Sequence, residues 1–363
     1  MKRITFTVTN DLTYDQRMQR ICSSLANAGY GVLLIGRKLQ RSIPLKDEIY
    51  KQKRLPCYFQ KGKLMYLEYN LRLLFYLLFV STQCYCAIDL DTILPNYFAS
   101  VIRRKKRVYD AHELFTEQKE IVTRAPIYKL WMKVEQFAVP KFKNGYTVND
   151  FIRNVLRKRY AVDYAIVRNL PRLERLQPYP SKEPFIIYQG AVNEGRSFET
   201  LIPAMKHVYA KLVICGDGNF FENTKKLIKQ HAVEDKVELR GMVPPRELRT
   251  ITPSAYAAVM LFEDTGLNQY QSLANRFFDY IMAGVPQVCV NYPQYAAVNE
   301  KYNIACLINN TNADTIAAAL NNLLSNNVYY SNLQQNCLKA REELNWEAEE
   351  KVLIEFYQKV FER

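Results

Sequence analysis

Short apolar runs of strand length alternate with amphipathic segments of helical length from residue 3 onward. RITFTV (3–8) and GVLLIG (31–36) have the β-branched character of strands. Between them, an apolar period near 3.6 residues predicts a helix from Gln16 to Ala28, with Gly29 as its stop signal. A strand, a helix and a second strand in this order are typical of α/β domains with parallel sheets.

The same alternation continues along the chain, with one interruption. Residues 169–184 contain four prolines and several charges, which break the periodicity. Strands are predicted before this break at YCAIDL, RVYD and GYTV, and after it at FIIYQG, KLVICGDG, KVELRG, YAAVMLF, VPQVCV and IACLI. The pattern therefore predicts two parallel-sheet domains, 1–178 and 179–345, and a final helix over 346–363 that packs back on the first domain.

Positive charge is concentrated in the first half of the chain. Residues 1–180 contain 32 Lys and Arg against 15 Asp and Glu, whereas residues 181–363 contain 18 against 21. Such a field attracts nucleic acid, anionic lipid or a phosphorylated substrate, and charge alone does not choose among them.

The most apolar segment, LRLLFYLLFV at 71–80, is about half the roughly 20 residues that a membrane-spanning helix needs. We therefore expect it not to span a bilayer. The first residues show no signal peptide, and the eight cysteines lie scattered without metal-ligand spacing. These features favour a cytoplasmic protein with reduced thiols.

Ligands of doubly wound sheets bind where the strands end, so the loops after the strands are the place to search for a site. Gly195, Arg196 and Ser197 open a predicted helix, whose amino end and guanidinium could bind a diphosphate. The alternative is a solvated arginine at a turn. Glycine could also let the backbone approach a ligand closely in three of these loops, at Gly190, at Gly216 and Gly218, and at Gly241 beside Met242.

The stretch SLANRFFDYIMAGVPQVCV (272–290) predicts a helix followed by a strand. At helical spacing Leu273, Phe277 and Ile281 form an inward stripe, while Asn275, Arg276 and Asp279 fall near the other face and the helix start. Ser272 stands where an N-cap or a phosphate-binding hydroxyl would lie. The stretch therefore predicts either a ribose and phosphate site or an amphipathic helix with a polar outer face.

Four segments in this order resemble the donor-sugar domain of GT-B-fold glycosyltransferases, specifically the large retaining glycosyltransferase family 4. They are YQGAVNEGRSFETLIPAM, KLVICGDGN, VELRGMVPPREL and SLANRFFDYIMAGVPQV. The resemblance implies that Asp279 binds the ribose, that Arg196 and Arg276 bind the diphosphate, and that Gly190, Gly216, Gly218, Gly241, Met242, Ser272, Leu273 and Asn275 complete the nucleotide site. Asp279 replaces the family's usual Glu, and Gln271 replaces its acidic partner.

The first half resembles the same family more faintly. VTNDLTYDQRMQRICSSLANAGYGVLLIGR is similar to its opening strand, loop and helix, which implies that Asp11, Asp15 and Arg17 border the acceptor. RVYDAHELFTE is similar to its Asp-x-His segment, which implies that His112 reaches the donor sugar or acceptor and acts with Arg196 in catalysis.

The resemblance implies an α/β GT-B fold, with two Rossmann-like domains facing a central cleft. It further implies a hexosyltransferase that uses a UDP- or GDP-sugar, retains the anomeric configuration, and builds bacterial polysaccharide on a glycan or lipid-linked acceptor. We expect no cofactor and no metal, although Asp89-Leu90-Asp91 matches the metal-binding Asp-x-Asp of another glycosyltransferase fold.

A basic and apolar first domain would suit peripheral docking at the inner membrane face through residues 71–80 and IRRKKR (102–107). We expect no nucleic acid partner. Two alternatives remain open: a GT-B sugar-nucleotide epimerase, and a non-catalytic basic module that binds membrane or nucleic acid.

Overall fold

The computed structural model describes residues 1–362 except 14, 41, 180 and 182, and of residue 120 it describes the backbone only. The chain divides into two compact units. The first comprises residues 1–169 together with 348–362, and the second comprises Leu170–Glu347. Each unit is built around its own parallel sheet.

The first unit contains a seven-stranded sheet in the order β3-β2-β1-β4-β5-β6-β7, in which all neighbours are parallel. Ile4 lies between Val32 and Cys84 at the centre of this sheet, where strands are buried on both faces and therefore apolar. The strands are β1 (Arg3–Thr7), β2 (Gly31–Lys38), β3 (Lys51–Pro56), β4 (Cys84–Ile88), β5 (Lys106–Ala111), β6 (Asn144–Thr147) and β7 (Ala165–Ile166).

Helices cover both faces of this sheet. They are α1 (Gln16–Asn27), α2 (Gly62–Phe79), α3 (Ile93–Ile102), α4 (Lys119–Val122), α5 (Ala125–Ala138) and α6 (Asp150–Tyr160). Because parallel crossovers are right-handed, the change of direction in the strand order puts α1 on one face and α2, α3, α5 and α6 on the other. Short 3₁₀ turns follow at Leu90–Thr92, Phe115–Glu117 and Val139–Lys141.

The last helix, α15 (Trp346–Glu362), completes the core of the first unit. The ring of Tyr357 is fully buried and lies 6.0 Å from Phe6 of β1 and 6.3 Å from Tyr146 of β6. The hydroxyl of Ser24 in α1 donates to Glu350 at 2.7 Å. A segment distant in sequence therefore fills the space beside the central strands.

The second unit contains a six-stranded parallel sheet in the order β10-β9-β8-β11-β12-β13. Its largest apolar cluster includes Ile186, Leu212, Val259 and Val288 from four neighbouring strands. The strands are β8 (Phe185–Gln189), β9 (Lys211–Cys215), β10 (Val237–Gly241), β11 (Ala257–Met260), β12 (Gln287–Val290) and β13 (Ala305–Ile308).

The helices of this unit connect the strands in sequence. They are α7 (Phe198–Ala204), α8 (Phe221–His231), α9 (Pro245–Ser254), α10 (Leu267–Tyr270), α11 (Asn275–Ala283), α12 (Pro293–Tyr302), α13 (Ala313–Ser325) and α14 (Asn327–Ala340), with a 3₁₀ turn at Met205–His207. Gly284 ends α11 at φ 70°, a conformation that favours glycine, and the chain passes directly into β12.

The predicted α/β architecture with two parallel sheets is confirmed. The helix predicted from Gln16 ends at Asn27, and Gly29 has the left-handed backbone expected at such an end. Strands β3 and β7 were not predicted. Within the part of the chain that the structure describes, no helix is long and apolar enough to cross a membrane.

Candidate functional site

The carboxyl end of β8 forms one wall of the candidate site in the second unit. Tyr188 and Gln189 end the strand, and Gly190 follows at φ 117°, where any side chain would be strained. A Cβ at position 190 would lie 3.3 Å from Nη1 of Arg276. Glycine therefore lets the loop after β8 pass close to the guanidinium of α11.

Arg276 points into the unit rather than out of it, so the alternative of a polar outer face does not hold for this residue. Only 9% of it is exposed. Its Nη1 donates to the Tyr188 hydroxyl at 3.0 Å, and its Nε donates to Sδ of Met260 at 3.1 Å. The guanidinium carbon lies 4.7 Å from the centre of the Tyr188 ring and 5.0 Å from that of Phe262. Aromatic faces and sulfur, rather than a carboxylate, surround this charge.

Arg196 lies beside Arg276 and, like it, has no ion-pair partner among the residues that the structure describes. Its guanidinium carbon is 4.0 Å from the centre of the Phe262 ring. Burial, and then the positive charge of Arg276, lowers the pKa of Arg196 to about 10. The guanidinium still carries its charge at pH 7, but it lies in a place that already holds another cation.

The polar atoms of this pair are incompletely satisfied. Nε and Nη1 of Arg196, Nη2 of Arg276 and the Ser197 hydroxyl are buried without a hydrogen-bond partner among the described residues. A buried charge normally lies next to an opposite charge, because removing it from water costs several kcal/mol. Two neighbouring guanidiniums with free N–H groups therefore form a site for an anion, and a diphosphate has the right charge and acceptor geometry.

Asp279 lies one turn further along α11 and joins the end of β8. Gln189 donates from Nε2 to Oδ2 of Asp279 at 3.1 Å, and its Oε1 accepts from the Thr252 hydroxyl at 2.6 Å. The backbone N–H of Gln189 donates to the Tyr280 hydroxyl at 3.0 Å. These contacts hold the carboxylate, only partly buried, beside the loop that touches Arg276.

Among the other predicted residues of this stretch, Ser272 differs from its expected place as a helix cap, whereas Leu273 and Asn275 lie where helical spacing put them. Ser272 is not the N-cap of α11, because the helix begins one residue after Ala274 and the Ser272 hydroxyl donates to the Gln269 carbonyl at 2.9 Å. Leu273 packs against the apolar core and Asn275 is exposed at the helix start. Gln271 accepts from Gln294 at 3.3 Å.

The glycines after β9 pack one loop against another. A Cβ at Gly216 would overlap the carbonyl oxygen of Gly190, and a Cβ at Gly218 would overlap Val192 and Asn193. Their first role is thus to bring the loops after β8 and β9 together. Gly241 has φ 65° with open space around it, and Met242 is exposed after β10, which is the edge strand.

In the first unit, two predicted acceptor-side residues shape the loop before α1. Asp15 caps α1 by accepting from the Met18 N–H at 2.9 Å, and it also accepts from Asn10 at 2.6 Å. Asp11 accepts from the Thr13 N–H at 3.1 Å and from Ser42 at 3.2 Å. Both carboxylates therefore organise backbone near the carboxyl end of β1.

Arg17, which the resemblance places beside the acceptor, is buried and paired. Its Nη2 lies 2.8 Å from Oδ1 of Asp110, and the side chains are 7% and 0% exposed. This ion pair joins α1 to β5. Sequence periodicity could not reveal it, because Asp110 reads as the polar end of a strand.

His112 follows β5 at the same edge of the sheet. Its Nδ1 lies 3.1 Å from Oδ2 of Asp89, a residue with the uncommon φ of 53° at the end of β4. Burial, and then the charge of Arg17, lowers the pKa of His112 to about 4, so its imidazole is neutral at pH 7. Burial, and then Glu113, raises the pKa of Asp89 well above its usual range.

Asp89, His112 and Glu113 could together hold a metal ion, since one ligand atom from each lies within 4.8 Å of the others. The sequence did not indicate this set, because Asp89 is distant from the other two in the chain. Asp91 takes no part in it and accepts from the Thr9 hydroxyl at 2.6 Å.

Sequence reasoning missed the residues that surround the arginines. Tyr188, Gln189, Met260 and Phe262 lie at or just after the ends of β8 and β11, and Thr252 lies in α9. Their position at strand ends was the available signal. Their residue types gave no signal of a site, because Tyr, Met and Phe in an apolar run are typical of a core.

Residues 173–343 match the family model of glycosyl transferases group 1, which covers nearly all of the second unit. No curated protein matches the chain in sequence.

Solved structures match the whole chain at low sequence identity. Sucrose-phosphate synthase from Thermosynechococcus elongatus superposes with a TM-score of 0.84 at 15% identity, covering 99% of each chain. Anabaena HepE in complex with UDP and glucose gives 0.76 at 10%, covering 100% of each. A mutant of S. aureus TarM in complex with fondaparinux, alpha-GlcNAc-glycerol and UDP gives 0.73 at 12%, again covering 100% of each.

The resemblance to GT-B glycosyltransferases is thereby confirmed. The chain has the GT-B fold, with two Rossmann-like domains, and residues 173–343 match the family model of glycosyl transferases group 1.

Proposed function

We propose that the protein transfers a sugar from a nucleoside diphosphate sugar, of the UDP or GDP type, to a glycan or lipid-linked acceptor with retention of configuration. The observation that carries this proposal is the pair Arg196 and Arg276, two neighbouring guanidiniums with unpartnered N–H groups and no carboxylate beside them among the described residues. The family match of this unit supports the same donor chemistry.

The arginines would act on the leaving group. Transfer breaks the bond between the anomeric carbon and the diphosphate, so negative charge grows on the diphosphate oxygens. Fixed cations in a place shielded from water stabilise that charge without having to reorganise. Arg276 is held by Tyr188 and Met260, and Arg196 by the face of Phe262, so both are oriented before the donor binds. This arrangement supplies positive charge without a metal.

Asp279 would hold the ribose hydroxyls. Its carboxylate is fixed by Gln189 and lies one turn beyond Arg276 on α11, so a nucleotide with its diphosphate on the arginines could reach it with its ribose. In the first unit, neutral His112 would contact the sugar or acceptor, with Asp11 and Asp15 shaping the loop beside it. The acceptor's proton would pass to the departing phosphate, which requires no protein nucleophile.

Structural neighbours support the donor class. The HepE and TarM structures are both complexes with UDP. The TarM complex also contains alpha-GlcNAc-glycerol, which is a glycoside. The positive charge of residues 1–180 would suit peripheral association with the inner membrane face. Such a location accords with a glycan or lipid-linked acceptor and with polysaccharide synthesis.

Isothermal titration with UDP, GDP and their glucose and mannose derivatives would test the proposal. We expect one nucleotide to bind the parent protein, and Arg196→Met to weaken it at least tenfold. Arg249→Met is the matched control, because Arg249 is an exposed arginine of the same unit that pairs with Glu174. Incubation with the bound donor and candidate acceptors, followed by mass spectrometry, would then detect transfer. Absence of binding to every nucleotide would reject the proposed function.

A further inference from the structure

Helix α2 is apolar on two opposite faces, and only one of them packs against the first unit. Met65, Tyr69, Leu73 and Leu77 are buried at intervals of four residues. On the opposite face Leu67, Leu71, Phe75 and Phe79 are 58%, 59%, 68% and 74% exposed, and Leu64 precedes them at 54%. From Leu64 to Phe79 this exposed stripe runs about 22 Å along the helix.

The stripe continues into a loop that the structure holds in place. Tyr58 is 85% exposed, yet its backbone N–H donates to the carboxylate of Glu68 in α2 at 2.9 Å, as does that of Phe59. Glu68 also accepts from Nε of Arg72 at 2.8 Å, and the Arg72 guanidinium carbon lies 5.2 Å from the centre of the Tyr58 ring. Four polar and ring contacts thus position two aromatic side chains at the surface.

Neighbouring helices on the same face of the sheet extend this apolar surface. Phe98, Val101 and Ile102 of α3 and Leu130 and Phe137 of α5 are each more than 40% exposed. The rings of Phe98 and Phe137 stack at 6.4 Å, and those of Tyr66 in α2 and Trp131 in α5 meet at 5.6 Å. A continuous exposed apolar patch is typical of an interaction surface.

The charged side chains that α2, α3 and α5 expose to solvent are positive. Their carboxylates are Glu68, which is bound to the Tyr58 loop, and Glu135, which is 4% exposed and accepts from Thr116 and Tyr160. Lys63, Lys129 and Lys133 are exposed. The surface therefore combines the exposed apolar stripe with lysines and presents no exposed carboxylate on α2, α3 or α5.

We propose that this surface, the exposed stripe of α2 with Tyr58, Phe59 and the exposed residues of α3 and α5, docks on an anionic lipid bilayer. Apolar side chains on one helix face enter the interface between headgroups and chains, while lysines pair with anionic headgroups. A second copy of the chain fits poorly, because a two-fold contact would bring the same lysines together with no exposed carboxylate to oppose them. The assignment rests on the proposed function, which places a lipid-linked acceptor at a membrane.

The structure also changes which residues should be tested. IRRKKR was the basic segment predicted to dock, but Arg103 donates to the carbonyls of Leu77 and Val80 and to the Tyr85 hydroxyl. Arg107 donates to the Lys141 carbonyl at 2.9 Å and to the Ser100 hydroxyl at 2.9 Å. Substituting Arg103 or Arg107 would disturb the fold, whereas the exposed side chains of the α2 stripe make no such hydrogen bonds among the described residues.

Co-sedimentation with vesicles of phosphatidylcholine, with and without phosphatidylglycerol, tests the assignment. We expect the parent protein to sediment with phosphatidylglycerol vesicles, and the triple variant Leu71→Gln, Phe75→Gln, Phe79→Gln to lose at least tenfold in partitioning. The variant Lys63→Gln, Lys129→Gln, Lys133→Gln should lose about fivefold per lysine on these vesicles. Tyr209→Gln, Val328→Gln is the control, because these apolar residues of the second unit are at least as exposed as those of the α2 stripe.

The outcomes separate docking from catalysis. Retained thermal stability and nucleotide affinity in the α2 variant would show that the fold and donor site survive. Vesicle binding without nucleotide binding would leave the docking surface intact and reject the proposed function. The assignment fails if the parent does not sediment with anionic vesicles or if the α2 variant sediments as well as the parent. A parent dimer that the α2 substitutions convert to a monomer, without vesicle binding, would show that a second copy covers the surface.

Discussion

Each unit buries an arginine at the carboxyl edge of its sheet, but the two arginines have opposite environments. Arg17 in the first unit faces Asp110 at 2.8 Å. Arg276 in the second unit faces aromatic rings, a tyrosine hydroxyl and a thioether, with another arginine nearby. The first charge is neutralised within the protein and joins α1 to β5. The second has no carboxylate partner among the described residues, which is the difference expected of a site that binds an anion.

The largest expected effect comes from breaking the neutralised pair. Arg17→Met leaves the Asp110 carboxylate buried without its partner, which should lower the free energy of unfolding by about 3–5 kcal/mol. Urea denaturation would measure it. The double variant Arg17→Met, Asp110→Leu is the control and should recover part of the loss. Stability equal to the parent in the single variant would show that the pair does not hold the two elements together.

Arg276→Met should weaken nucleotide binding without lowering the free energy of unfolding. No carboxylate is left uncompensated, so the free energy of unfolding should stay unchanged or rise, while nucleotide binding should weaken by about 3 kcal/mol, the upper range for a charged hydrogen bond. Denaturation and isothermal titration on the same samples would measure both. A large loss of stability with unchanged nucleotide affinity would make Arg276 a structural residue, like Arg17.

Asp279→Ala tests whether the site extends beyond the diphosphate. Loss of a charged hydrogen bond to ribose should weaken nucleotide binding by roughly 1.5–3 kcal/mol, with the fold retained. Inorganic pyrophosphate is the internal control, because its affinity should not change if Asp279 acts on the ribose alone. Equal affinity of parent and variant for the nucleotide would remove this role.

Chelation should have the smallest effect. If the two arginines neutralise the leaving diphosphate, transfer should persist in excess EDTA, because a metal would duplicate their charge. Activity lost in EDTA and restored by manganese or magnesium would overturn this prediction. Asp89→Asn and His112→Ala would then show whether the cluster with Glu113 holds the ion.

Much of the fold could be predicted because strands at the centre of a parallel sheet are buried on both faces. Central strands β1, β4, β8 and β11 therefore stand out as apolar runs. Edge strand β3 reads KQKRLP, has one neighbour and buries little, so its sequence carries almost no strand signal. Strand β7 has two residues, which is too short for any period.

The sequence was enough to predict which residues form the candidate site, but not which residues surround them. Family-like residues in 272–290 indicated Arg276 and Asp279, yet helical periodicity assigned Arg276 to an outer face because it treats every arginine as solvated. Its burial depends on Tyr188, Met260 and Phe262, which come from two other strand ends. Ser272 failed as a cap for a similar reason, since the turn formed by α10 fixes its hydroxyl.

Helix α15 has a consequence for the order in which the protein forms during translation. Tyr357 and its neighbours complete the core beside β1 and β6, but the ribosome must first make residues 170–347, the whole second unit. Domains usually fold in the order of synthesis, amino-terminal first. Here the first unit cannot complete its core until the whole second unit has been synthesised. The nascent first unit would therefore expose Phe6 and Tyr146 to solvent and to chaperones for most of translation.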